Sequence, residues 1–369
     1  MTALYVGLMS GTSMDGIDAV LVDCYSAKPH LVATHSKPWP DDIRQQLEQA
    51  QQLDDEAVIE LHALDRAIAE QFASATLELL ALANTENDEI VAIGSHGQTI
   101  RHRPHSEPPF SLQLGNGQHI ADLTGIRTVS DFRSADIKAG GEGAPLTPAY
   151  HNAVLRSHNE NRCVINIGGI ANITLLPADD AQPVSGYDTG PGNNLMDGWI
   201  RQGRSLPYDN RGEWARSGQV NDTLLARLND DAYFQLTPPK STGFEYFNQD
   251  WLRQYAVDDL PAEDVQATLC ELTATTLADA ILASDIKIER VLICGGGVHN
   301  AYCLERLQSR LGTLPVESTE QHGVHPDWVE AMAFAWLAHC HVEGKPGNLP
   351  SVTGASAAVV LGMLSAPDL

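Results

Sequence analysis

Basic residues are scarce in this chain: 23 Lys and Arg stand against 48 Asp and Glu, a formal net charge of −25. Nucleic acid and anionic membrane both recruit clustered Lys and Arg, so neither is expected as a partner. An anionic small substrate stays open, because local cations or a metal can reverse the field inside one cleft. No run of about 18 apolar residues occurs, so no segment is expected to span a bilayer. The first residues lack the basic-then-apolar order of a signal peptide. The six cysteines come no closer than Cys294 and Cys303, nine positions apart. That excludes a CxxC zinc or redox motif. Several lie in apolar patterns, as reduced core thiols do, and the expectation is a reducing, cytoplasmic setting.

Several catalytic signatures are also missing. There is no G-x-x-x-x-G-K-[ST] loop and no G-x-G-x-x-G after a strand. No G-x-S-x-G elbow supports a serine hydrolase. The histidine spacings match no H-E-x-x-H zinc site. Asp188-Thr189-Gly190 has the local form of an aspartic protease, but that chemistry needs two carboxylates in one site, and no second such triplet exists.

The chain does have enough apolar residues for a real core, 43 % over 369 positions, a length that predicts two domains. Leu4 to Met9 and Ile17 to Val22 read as strands around a polar turn, with a third strand from His30. Asp41 to Leu82 carries helical periodicity. Ile90 to Gly94 reads as a short buried strand followed by a polar loop to Pro109. The same strand, turn, strand order returns at 162–176, flanking Gly168 and Gly169, and 184–187 adds a strand ending in a Gly-Pro-Gly loop. Ala262 to Ala283 and Trp328 to His341 read as helices, with a strand at 291–294 between them. Ala355 to Leu364 reads as a last helix. Two hairpin-first halves predict two similar α/β domains with a cleft between them, at 1–140, with 355–369 as a candidate to complete it, and at 141–354.

Four turns can carry chemistry. Gly11-Thr12-Ser13-Met14-Asp15-Gly16-Ile17-Asp18 sits between two strands, where backbone N–H groups and hydroxyls can cradle phosphate and a carboxylate can hold Mg²⁺ through its waters. An ordinary hairpin loop is the alternative. Gly168-Gly169 and Gly295-Gly296-Gly297 follow strands, where ligands of α/β sheets gather. Each alone is also a plain turn. Asp188, ahead of Gly190 and Gly192, suits a general base or a turn cap. Arg133 suits a substrate carboxylate or the surface.

Taken together, G-L-M-S-G-T-S-M-D-G-I-D, G-S-H-G-Q-T, S-D-F-R-S-A-D, G-G-E-G-A-P-L-T-P, N-I-G-G-I-A-N, D-T-G-P-G-N-N-L-M-D, G-G-G-V-H-N and E-A-M-A-F-A-W-L-A resemble the successive motifs of anhydro-N-acetylmuramic acid kinases, in order, from about residue 5 to 357. The resemblance implies a two-domain actin/hexokinase-like (ribonuclease H-like) α/β fold with an interdomain cleft. It implies ATP and Mg²⁺ as cofactors, an anhydro sugar substrate, and a homodimer. It places ATP phosphates at residues 11 to 18, with Asp15 at the metal. It makes Asp188 the base that activates water. Gly168, Gly169, Gly190 and Gly295 to Gly297 line the nucleotide site, while His96, Gln98, Arg133 and Glu330 face the sugar. Another sugar kinase or a phosphatase of the same fold remains an alternative, as does a non-catalytic actin-like ATP-binding protein.

Overall fold

The computed structural model describes every residue except 1, 12, 13, 15, 27, 56, 58–60 and 369. The chain divides into two compact units, one of residues 1–154 and 328–369, the other of 155–327. Two stretches assigned from sequence to the second domain, 141–154 and 328–354, therefore fold with the first unit.

The first unit is built on β1 (Leu4–Ser10), β2 (Gly16–Asp23), β3 (His30–Pro38), β4 (Ile90–Arg103), β5 (Phe110–Leu114) and β6 (Thr128–Ser130), with a C-terminal strand Met363–Ser365. β1, β2 and β3 form an antiparallel meander, and β4 and β6 continue the sheet in parallel from β1. The C-terminal strand closes one edge beside β6. Strand alternation puts Val6, Leu8, Ile17, Ala19 and Leu21 into a core shared with the helix His62–Ala83, which supplies Leu64, Ile68, Phe72 and Leu79.

The sheet's other side takes the helix Val329–Val342, whose sequence of small residues is buried almost all round. It needs that composition because two glycines let it come close. Gly7 and Gly94 pair across β1 and β4. A Cβ on Gly7 would strike the Ala331 carbonyl oxygen, and one on Gly94 the Phe334 carbonyl oxygen. The helix backbone lies in a trough that only glycine leaves open.

The second unit holds β7 (Arg162–Ile167), β8 (Ile170–Leu176), β9 (Ser185–Pro191), β10 (Arg290–Cys294) and β11 (Val316–Ser318). Again three strands run antiparallel, and β10 and β11 extend the sheet in parallel from β7. The central helix Ala262–Leu282 and the helix Ala301–Leu311 pack against this sheet through Leu277, Ile281 and Leu307. The strand order β3-β2-β1-β4-β6 of the first unit thus recurs as β9-β8-β7-β10-β11 with the same directions. This repeated α/β sheet is the actin/hexokinase-like architecture, and the duplication survives in topology without a sequence repeat. Residues 205–261 are an insertion of short helices between β9 and the central helix, cored by Tyr233, Phe247 and Trp251.

Three local readings change. The polar loop after Gly94 is strand: β4 continues to Arg103 and pairs with β5. β9 runs through Asp188 to Pro191, so that carboxylate lies within an edge strand and not after it. The tail from Ala355 to Leu364, expected as a helix, is extended: a short helix ends before it at Pro350–Thr353, and it leads into the last strand at Met363–Ser365. Its backbone groups bond to other segments: Gly347 N–H to the Val359 carbonyl, Val359 N–H to Asn348 Oδ1, and Ser356 N–H to the Ala139 carbonyl. A helix would have to give these up. Among the described residues no helix is long and apolar enough to cross a membrane.

Candidate active site

In the first unit the polar half of β4 is buried: Ser95 is 1 % exposed, His96 6 % and Gln98 0 %. Polar side chains packed this deeply need partners, and a row of them signals a built site. Arg133, at the start of the helix Ser134–Lys138, donates from Nη2 to His96 Nε2 at 2.8 Å and from Nη1 to the Gly143 carbonyl at 2.8 Å. Burial and the guanidinium push His96 down to about 3, so it stays a neutral imidazole that accepts from Arg133. Burial lowers Arg133 to about 10, and the nearby Glu330 carboxylate favours its charge. His96, Arg133 and Glu330 are thus brought together. Arg133 Nε and Ser95 Oγ are buried without a partner among the described residues.

The G-G-E-G loop beside Arg133 is held from below. Asp136, fully buried, accepts from Gly143 N–H at 2.8 Å, Asn348 Nδ2 at 2.6 Å and the Thr353 hydroxyl at 2.7 Å. One carboxylate therefore joins the Arg133 segment to the C-terminal tail.

The hairpin turn between β1 and β2 lies in the same unit. Gly11 closes it by accepting from Met14 N–H at 3.2 Å. Thr12, Ser13 and Asp15, expected at phosphates and metal, lie outside the described residues. Met14 and Ile17 bury their side chains in the core, leaving only backbone for a ligand, and the Asp18 carboxylate accepts from Ser36 Oγ at 2.7 Å.

In the second unit Asp188 is gripped by the insertion. Its Oδ2 accepts from Thr242 N–H at 3.0 Å, its own N–H donates to the Lys240 carbonyl at 3.2 Å, and its carbonyl accepts from the Tyr233 hydroxyl at 2.7 Å. Burial pushes the carboxyl up to about 6, with Glu245 adding to the rise and the Thr242 N–H opposing it.

The glycine loops of this unit interlock. Gly192 and Asn193 N–H donate to the Gly169 and Gly168 carbonyls at 2.9 and 2.8 Å, and Asn193 Nδ2 donates to the Ile167 carbonyl at 3.0 Å. Their glycines have different reasons. Gly169 makes room for the Phe244 ring and Gly297 for the Ile167 side chain, whereas Gly295 has φ +80°. A Cβ on Gly296 would meet nothing closer than 3.9 Å. That open face borders a cavity of about 900 Å³, walled by Asn193 and Asp197, by Tyr208 to Arg211 of the insertion, and by His299 and Asn300.

A family model for Anhydro-N-acetylmuramic acid kinase matches residues 3–367. The chain belongs to the anhydro-N-acetylmuramic acid kinase family. The Anhydro-N-acetylmuramic acid kinase of Xylella fastidiosa is 50 % identical over 98 % of this chain and 96 % of its own. That of Coxiella burnetii is 46 % identical over the same shares. Among solved structures, a Streptomyces griseus ROK family glucokinase in complex with glucose and AMPPNP is similar at 13 % identity and TM-score 0.40, over 91 % of this chain and 99 % of that one.

For this member of the kinase family, sequence reasoning did not reach the insertion. Tyr208 to Arg211 form a wall of the cavity, and Tyr233, Lys240 and Thr242 hold Asp188. Asp209 caps the helix Glu213–Ser217, accepting from Trp214 and Ala215 N–H at 2.9 Å each.

Proposed function

We propose that this chain is an ATP-dependent kinase that hydrolytically opens 1,6-anhydro-N-acetylmuramic acid and phosphorylates it to N-acetylmuramic acid 6-phosphate in cell-wall recycling. The observation that carries the reading is Asp188, a shielded carboxylate near pKa 6 with one oxygen held by Thr242 N–H. A base tuned towards neutrality and fixed by its neighbours suits proton abstraction at physiological pH.

The 6-oxygen of the substrate is tied into the anhydro bridge and carries no proton. The base therefore acts on water: Asp188, through Oδ1, takes a proton while the water oxygen attacks the anomeric carbon. The C1–O6 bond breaks, its electron pair stays on O6, and O6 attacks the γ-phosphorus as ADP leaves. We assign His96, Arg133 and Glu330 to the sugar. The open face of Gly296 with its cavity is assigned to the nucleoside, and the loops that carry Gly168, Gly169, Gly190, Gly295 and Gly297 are assigned to the support of that site. The hairpin 11–18 is assigned to the phosphates.

Mg²⁺ is assigned to Asp15, which lies outside the described residues. No cluster of three His, Cys, Asp or Glu among the described residues could hold a metal. A kinase Mg²⁺ rides mainly on phosphate oxygens and water with one or two carboxylates, so one suffices. When bound it offsets charge on the transferring phosphoryl group. Family resemblance supports a cytoplasmic homodimer, which light scattering at two chain masses would check.

Isotopes test the chemistry. Oxygen-18 in the bridge should appear in the phosphate ester, and oxygen-18 from water at the anomeric hydroxyl when read before mutarotation. Attack opposite the bridge should give the α anomer first. Water label in the ester, or β product at the earliest times, would refute the route. A second expectation concerns the hairpin: Gly11→Val should weaken ATP binding by more than about tenfold, because a side chain blocks close backbone approach to phosphate. A calorimetric titration showing wild-type ATP affinity would move the phosphates elsewhere.

A further inference from the structure

We infer that Gln98 is a positioning residue for the phosphate hairpin, not a contact of the sugar. The inference rests on reading residues 11–18 as the phosphate site. Gln98 has 0 % exposure, so it offers no surface to a substrate. It stands opposite Ser10 in the pairing of β4 with β1, where the register shifts next to the turn.

Both ends of its amide are spent on the hairpin. Nε2 donates to the Gly11 carbonyl at 3.1 Å. Oε1 lies 2.7 Å from Ser10 Oγ, which also lies 2.8 Å from the Gly16 carbonyl oxygen, so the one hydroxyl proton is shared between the two acceptors. Trp39, itself 5 % exposed, donates from Nε1 to Ser10 Oγ at 3.1 Å. Ser10 and Gly11 begin the turn and Gly16 ends it, so one buried set of polar groups fixes the separation of its two ends.

The residue type follows from these partners. The site needs an acceptor for a hydroxyl and, one atom away, a donor for a carbonyl. Glutamine supplies both and remains neutral. An ionised glutamate would face the Gly11 carbonyl with a second acceptor and put negative charge beneath a loop that receives phosphates. Preorganising backbone groups in this way lowers the cost of ordering the loop when nucleotide arrives.

The test separates the two ligands. Gln98→Met removes both bonds, and Gln98→Glu keeps the acceptor but loses the donor. Each full-length variant is titrated calorimetrically with a non-hydrolysable ATP analogue, and separately with 1,6-anhydro-N-acetylmuramic acid. The expected result is a nucleotide Kd raised about tenfold or more, as for a buried amide's hydrogen bonds lost from both ends of the turn, with the sugar Kd changed less than about twofold. Ser10→Ala and Trp39→Phe should show the same split, and they carry the test if the Gln98 variants do not fold. A sugar Kd raised with nucleotide binding intact overturns the inference, as does an equal loss for both ligands. Unchanged nucleotide affinity in these variants, with Gly11→Val weakened, overturns this inference alone. Unchanged affinity in Gly11→Val as well overturns the hairpin reading and this inference with it.

Discussion

Asp188→Asn should lower turnover by about 10²–10⁴, the usual cost of removing a general base, while nucleotide binding persists. The amide keeps the shape and can still accept from Thr242 N–H, but it cannot take a proton from water. In the wild type, kcat/KM should fall about tenfold per pH unit below about 6, where Asp188 is protonated, and level off above it. Stability should move the other way. The folded-state pKa of Asp188 is raised from 3.8 to about 6, so the fold binds this proton more tightly than the unfolded chain does. Its stabilising contribution is fully present below about 3.8 and is lost as pH rises through about 6. At pH 8 the ionised, half-buried carboxylate then costs the fold up to about 3 kcal/mol. Asp188→Asn should relieve much of that. Denaturant unfolding should find it about 1–3 kcal/mol more stable than wild type at pH 8, with the gap below about 1 kcal/mol at pH 4. An inactive but stabilised variant separates lost chemistry from lost folding. Near-wild-type turnover would make Asp188 a structural strand residue.

Gly94→Val should destabilise the first unit by about 3–5 kcal/mol, at the upper end of overpacking effects. The new Cβ would strike the Phe334 carbonyl oxygen and sit 3.0 Å from the Ala338 Cβ, so the obstacle is helix backbone and not a side chain that can turn away. The helix Val329–Val342 must lift from β1 and β4. Because Glu330 lies in its first turn, sugar binding should fall together with stability. Against the 5–15 kcal/mol typical of a whole fold, that loss should show as a large drop in denaturant midpoint. A midpoint within experimental error of wild type would mean that the helix does not rest on these glycines.

Much of the frame was legible in the chain. Apolar runs bounded by turn residues marked β1, β2, β7 and β10, and the 3–4 spacing of Val265, Leu269, Leu272 and Thr276 marked the central helix. These signals are local, since each element buries one face or one stripe and its residues repeat with its own period. The motif strings carried the family, and with it the expected roles of Asp188 and the glycine loops.

Tertiary structure decided what local period could not. Ser95 to Arg103 reads as a loop because it is polar, yet it is strand, and two of its buried polar side chains find distant partners: Gln98 bonds to Ser10 and Gly11, and His96 to Arg133. Ala355 to Leu364 has helical composition, yet its backbone finds partners in distant segments and stays extended. Gln98 shared a motif with His96, and only its burial showed that its bonds run to the hairpin. The sequence by itself determined which segments could be strands and helices, and which family they compose. Which polar side chains remain free to meet a ligand was settled by long-range hydrogen bonds, whose partners lie tens of residues apart and leave no period along the chain.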